Sequence, residues 1–180
     1  MASSTSVLFV PGAWHSPQCF DVIRGLEADN YNTEVVHLPS VDPVIPHLDF
    51  AEDVCEIRKK INIAVNAGQR VLVVVHSYGG LPGCEAIRGL DWETRQRQGQ
   101  PGGVTFHSNI TFEAWRYVPS TYLYCLKDQA IPHPVQKMMV EEVAKGVDIH
   151  TDVVNASHSP FYTVPDHVSA AIKKAAGGRT

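Results

Sequence analysis

Short apolar runs, each cut off by a breaker or a polar group, set the rhythm of the chain. Val7-Leu-Phe-Val10 stops at Pro11-Gly12, Thr33 to Leu38 stops at Pro39, and Val71 to Val75 stops at His76-Ser77. Pro119 to Leu126 and Val147 to Val154 follow the same design. Runs of this length, rich in branched residues and bounded by turn formers, predict buried strands.

Between them lie helical patterns. Ser16-Pro17 is a helix start, after which Phe20, Ile23 and Leu26 recur on one face. Phe50, Val54, Ile57, Ile61 and Val65 predict an amphipathic helix from Asp49, closed by Gly68. Further helices are expected over Tyr78 to Leu90, Thr111 to Tyr117, Pro134 to Ala144 with Val135, Met139 and Val143 inward, and Pro165 to Ala175. Ser40 to His47, just after Pro39, carries two further prolines, Pro43 and Pro46, and reads as a loop. Strand and helix alternate almost throughout, which predicts an α/β fold: a three-layer sandwich with a mostly parallel sheet.

Composition narrows the partners. A chain of 180 residues, 44% of them hydrophobic, suits one domain over 1–180. Fifteen basic against nineteen acidic side chains give a net charge of -4 without a basic block, so neither nucleic acid nor an anionic membrane is an expected partner. A small-molecule substrate is. Cys19, Cys55, Cys84 and Cys125 are widely spaced and form no C-x-x-C pair, and the first apolar run is too short for a membrane span or a signal-peptide core. The expected location is therefore cytoplasmic, with reduced thiols. The nine histidines form no H-x-x-x-H face, so no metal is expected, and the Met138-Met139 pair reads as core filler rather than a ligand box.

The chemistry gathers at strand ends, where open parallel sheets bind ligands. Past the first strand come Gly12, Ala13, Trp14 and His15; past the third, His76, Ser77 and Tyr78; past the later two, Asp128 and His158. A serine needs an imidazole to take its proton, and a carboxylate to hold that imidazole in the working tautomer. Ser77, Asp128 and His158 supply these types, in the chain order of enzymes built on a nucleophile elbow. Gly79 meets the elbow's need for a small residue two positions after the serine; Val75, two before it, does not. Polar strand-end and turn roles are the bland alternatives, with Asp148 and Asp152 as rival acids. His15 and His76 flank the site, as pocket lining or as structural hydrogen-bond formers.

"FVPGAWHS", "VVVHSYGG", "KDQAIP" and "SHSPF" together resemble the α/β-hydrolases. More narrowly, they are similar to small esterases of the plant methylesterase and hydroxynitrile-lyase branch and their fungal and bacterial relatives. The resemblance runs from Val7 to about Ala175. It implies Ser77 as nucleophile, His158 as base and Asp128 as its orienter. It also implies the Ala13 and Tyr78 N–H groups as oxyanion hole, with Gly12 letting that loop lie close to the substrate, and no cofactor. Trp14, His15 and His76 are expected around the substrate, with the Trp14 and Tyr78 side chains as pocket walls or, alternatively, as core packing. The lyases of this branch place a hydroxylated residue at position 12 and a lysine at position 159; this chain has Gly12 and Ser159. An esterase-type hydrolase of a small ester, lactone or thioester is thus expected, with a non-hydrolytic catalyst of the same fold or an inactive ligand-binding form as alternatives.

Relatives usually carry another strand and a helical cap between nucleophile and acid. Here residues 92–118 stand in their place, a shortened region that predicts a reduced fold with minimal or no cap. Either Val104 to Ser108 fills the strand slot, or two chains cover each other's open site as a homodimer.

Overall fold

The computed structural model describes residues 5–29, 31–41, 49–90 and 110–177. Strand β1 (Thr5–Val10) lies between β2 (Asn32–Val35) and β3 (Arg70–Val75), parallel to both, with Val7 opposite Thr33 on one side and Leu72 on the other. Being central, it buries both faces, which is why its apolar residues run without alternation. Val7 and Phe9 pack with Phe20, Ile23, Leu26 and Phe161, while Leu8 and Val10 pack with Val54, Ile57 and Ile61. Each such side chain contributes roughly 1.5–3 kcal/mol on leaving water. The sheet is thereby covered on both faces, as the alternating pattern predicts.

A second parallel pair, β4 (Ser120–Cys125) and β5 (Ile149–Val154), sets Cys125 beside Val154. Among the described residues no ladder joins β3 to β4. Apolar packing does connect the two sheets: Leu123 of β4 lies against the same cluster as Leu72 and Val74 of β3. Val104 to Ser108, offered for the missing strand slot, lies outside the described residues. So do 92–103 and, in the Pro-rich loop, 42–47.

Helix α1 (Ala51–Asn66) buries Val54, Ile57 and Ile61 as its spacing predicts, and Gly68 follows it at φ 76. Helix α2 (Gly80–Ile87) comes after β3, and its buried Glu85 accepts hydrogen bonds from the Thr111 and Phe112 N–H groups. Arg88 bonds the same carboxylate at 3.0 Å and lies over the Phe112 ring, so the returning chain is pinned to the end of α2.

Two helices differ from expectation. Residues Pro17–Asp29 wind as a 3-10 helix rather than an α-helix. Phe20, Ile23 and Leu26 recur every third residue, and three residues per turn stack all of them on one line facing the core. In the helix after β4, the expected inward set is the exposed one: Val135, Met139 and Val143 are 40%, 41% and 50% exposed, and Met138 is no core filler either. Gln136 and Ala144 are buried instead. α3 (His133–Lys137) passes into a π-helical stretch (Met138–Val143) and is turned so that the Gln136 amide serves polar groups at the end of β4. Rotating a helix by one residue moves every apolar position about 100° off the core.

Helices α4 (Pro160–Thr163) and α5 (Pro165–Gly177) complete the described chain, with Phe161, Val168 and Ile172 turned inward. No described helix is long and apolar enough to cross a membrane.

Candidate active site

Ser77 is the second residue past β3, after His76, and its backbone is left-handed at φ 50. A non-glycine residue there is strained, and strain of this kind persists only where packing holds it. The packing is visible. A Cβ on Gly79 would sit 2.4 Å from the Pro11 carbonyl oxygen, so the turn lies hard against the end of β1. Ser77 itself is exposed.

Val75 stands where a glycine is usual, and the structure shows what accommodates it. A Cβ on Gly83 would lie 2.7 Å from Val75 Cγ1. The space that a strand glycine would leave to the helix is here left by a helix glycine to the strand. Gly83 and the other glycines of "GGLPG" signal in sequence a backbone approached closely, but that signal missed Val75 as the residue that approaches Gly83.

The ends of β4 and β5 bring Asp128 and His158 together. His158 Nδ1 donates to Asp128 Oδ2 at 2.8 Å, while Asp128 Oδ1 accepts from the Ala130 and Ile131 N–H groups at 2.8 and 2.9 Å. Burial pushes the Asp128 carboxyl up, but the His158 bond and the two backbone donors outweigh it and hold it below the usual carboxylate range. With Nδ1 facing a carboxylate, His158 carries its proton there and leaves Nε2 as the basic nitrogen. Of the rival acids, Asp152 pairs with His167 at 3.1 Å, and it is Asp128 that meets His158 Nδ1.

Gln136, also missed from sequence, clamps this turn. Its amide donates to the Cys125 and Ile131 carbonyls at 3.0 and 2.7 Å and accepts from the Cys125 N–H at 2.9 Å. A glutamine eight residues past the acid gave no sequence signal of that contact.

His76 ties the two sheets. Its Nε2 donates to the His158 carbonyl at 2.9 Å, and its ring lies 4.9 Å from that of His158 and 5.1 Å from that of His15. Burial, above all, pushes its pKa down to about 4, so the ring is neutral at ordinary pH. The loop after β1 presses on both residues: a Cβ on Gly12 would meet His76 Nδ1 at 2.7 Å and Ser77 Cβ at 3.1 Å. His15 is fixed there too, through Ala13 O at 3.0 Å and Ser159 Oγ at 3.4 Å.

Trp14 is 96% exposed, on a strained backbone at φ 62, and so is not core packing. The Tyr78 side chain, expected beside it, turns the other way and bonds Asp53 at 2.6 Å. Among the described residues, neither the Ala13 N–H nor the Tyr78 N–H is spent on a main-chain hydrogen bond, and no hydrogen bond joins Ser77 Oγ to His158. No cluster of three or more described His, Cys, Asp or Glu side chains is arranged to hold a metal ion.

A strained, exposed serine past one parallel strand, with an Asp–His pair past the two strands of a second parallel pair, fits the arrangement of the α/β-hydrolases, and the chain has that fold. Residues 7–91 match the alpha/beta hydrolase family. The alpha/beta hydrolase nvfD of Aspergillus novofumigatus is 25% identical over 244 positions, with 96% of each chain covered. Since this chain has 180 residues, an interior stretch of that relative has no counterpart here. Among solved structures, the pyrethroid hydrolase PytH superposes with a TM-score of 0.73 at 17% identity, covering 98% of each chain. Tomato methylketone synthase I, solved with 2-tridecanone, gives 0.71 at 14% identity over the whole of both chains. These findings show the α/β-hydrolase fold and support a hydrolase.

Proposed function

We propose that the protein is a serine hydrolase that cleaves a small ester, lactone or thioester through an acyl-Ser77 intermediate. The observation that supports this reading is the strained Ser77 just past β3, next to a His76 whose ring bonds the His158 carbonyl at 2.9 Å, with His158 in turn held to Asp128 at 2.8 Å. Ser77 Oγ attacks the acyl carbon as His158 Nε2 takes its proton, and Asp128 keeps the Nδ1–H in place and stabilises the imidazolium. The carbonyl oxygen becomes an anion facing the unspent N–H groups of Ala13 and Tyr78. One such donor is worth about 10²–10³ in rate. His158 then protonates the departing alkoxide or thiolate. A water, deprotonated by the same nitrogen, attacks the acyl-serine and releases the acid.

Ser77 and His158 are not bonded in the free protein, which fits hydroxyl alignment on substrate binding. Gly12 supports an esterase over a cyanogenic lyase, because any side chain there would collide with His76 and crowd Ser77. The mode of turnover is read from short-chain aryl esters. Wild type should show acyl-enzyme burst kinetics, and both Ser77→Ala and His158→Ala should lose them. Turnover that survives Ser77→Ala but not His158→Ala would favour a second reading, a non-hydrolytic catalyst using the His158 base alone, for which the missing Ser77–His158 bond is the specific observation.

A further inference from the structure

Helix α1 carries a carboxylate in its apolar face. Asp53 falls beside Val54 among the inward positions Phe50, Ile57 and Ile61, and it is 0% exposed. A side chain of this kind is costly to bury unless donors surround it. Three do. Tyr78 Oη and Ser40 Oγ each donate to Asp53 Oδ2 at 2.6 Å, and the Ser40 N–H donates to Oδ1 at 2.9 Å. The two hydroxyl oxygens lie 3.4 Å apart. An apolar residue at 53 would fill the same face without that cost, so the carboxylate serves something other than the packing of α1.

What it grips is the residue after Ser77. Tyr78 packs in the cluster of Val10, Val54 and Ile57, and its phenol is the far end of a stiff side chain with two torsions. Fixing both ends of such a lever fixes its Cα–Cβ direction, and with it the peptide plane that bears the Tyr78 N–H. Charge-assisted hydrogen bonds of about 2.6 Å are among the stronger ones, roughly twice a neutral pair.

We propose that Asp53 is a positioning residue: through the Tyr78 phenol it holds the Tyr78 N–H aimed at the oxygen that becomes negative during acyl transfer. Ser40 holds the carboxylate for that task. The inference rests on the reading of Ser77 as nucleophile and Tyr78 N–H as an oxyanion donor, and it adds two residues, on the loop after β2 and on α1, that touch neither substrate nor Ser77. Such a device suits an elbow whose backbone is strained at the preceding residue.

The test uses the full chain and the variants Tyr78→Phe, which removes one oxygen, and Asp53→Asn. Three quantities are measured: the rate at which a fluorophosphonate modifies Ser77, the affinity of an alkyl boronic acid, whose adduct places an oxygen in the hole, and the affinity of the corresponding carboxylic acid. Misaiming one donor should slow phosphonylation and weaken the boronic acid about tenfold in Tyr78→Phe, leaving the carboxylic acid within about twofold, since small misplacements cost rate rather than ground-state binding. Asp53→Asn should move the same way; if it does not fold, Tyr78→Phe carries the test alone. Wild-type phosphonylation and boronic-acid affinity in Tyr78→Phe would overturn the proposal, as would a boronic acid and carboxylic acid that weaken in step. If wild type itself takes no phosphonate on Ser77, the hydrolase reading fails first and the inference falls with it.

Discussion

Whether Gly83 makes room for Val75 is decided by a double-mutant cycle. A Cβ at 83 would come 2.7 Å from Val75 Cγ1, where apolar atoms rest about 3.5–4.0 Å apart. Val75 is β-branched, so its methyl cannot swing clear without leaving its favoured rotamer or moving the strand end that carries Ser77. Overpacking of this kind costs about 1–3 kcal/mol. Alanine in place of a helical glycine returns about 1 kcal/mol, and Val75 is 42% exposed, which lets it yield in part. Gly83→Ala alone should thus destabilise by about 1–2 kcal/mol. In a Val75→Ala background the collision is gone, and the same change should stabilise by up to about 1 kcal/mol. Urea unfolding of the four proteins measures the coupling, expected near 2 kcal/mol. Additive effects within about 0.5 kcal/mol would refute the steric exchange.

Other outcomes follow from the site. Gly79→Ala would drive a Cβ to 2.4 Å from a backbone oxygen that cannot turn aside; we expect a loss above about 3 kcal/mol or no folded protein, and a variant of wild-type melting temperature would refute the close approach. His76 is a base whose pKa is lowered to about 4 by folding, against about 6.5 unfolded. The unfolded chain therefore binds its proton first, and stability should fall as pH drops from about 6.5 to about 4, by on the order of 3 kcal/mol at most. Urea midpoints at pH 7 and pH 5 should converge in His76→Phe, and an unchanged pH dependence would count against the buried neutral ring. For Asp128 the sign is that of a lowered acid: its hydrogen bonds stabilise the fold above the unfolded carboxyl pKa and are lost as pH falls through the folded one. Asp128→Asn should keep the fold but cut ester turnover by about 10⁴; a loss under tenfold would remove Asp128 from the mechanism.

The strand ends were the legible part of the site. Ser77, Asp128 and His158 each follow an apolar run that has to be a strand, and a parallel sheet brings such ends to one rim. What stayed hidden depends on contacts distant in the chain. Asp53 meets Tyr78 across 25 residues and Glu85 meets Phe112 across 27, pairings that no periodicity encodes. Asp53 did leave a trace, a carboxylate set among apolar helical positions, which a reading by apolar spacing alone passes over. In the helix after β4 the apolar residues pointed the wrong way, because one buried amide, that of Gln136, outweighed three exposed aliphatic side chains in setting the rotation. Phe20, Ile23 and Leu26 marked a buried face correctly, and their strict spacing of three was already that of a 3-10 helix.

The central claim is that Ser77 is a nucleophile, and intact-protein mass spectrometry after treatment with a fluorophosphonate tests it most directly. Attack by Ser77 Oγ forms an O–P bond and expels fluoride, so wild type should gain one phosphonyl group, mapped to the peptide holding Ser77, while Ser77→Ala gains none. No adduct on folded wild type, or an equal adduct on Ser77→Ala, would contradict it.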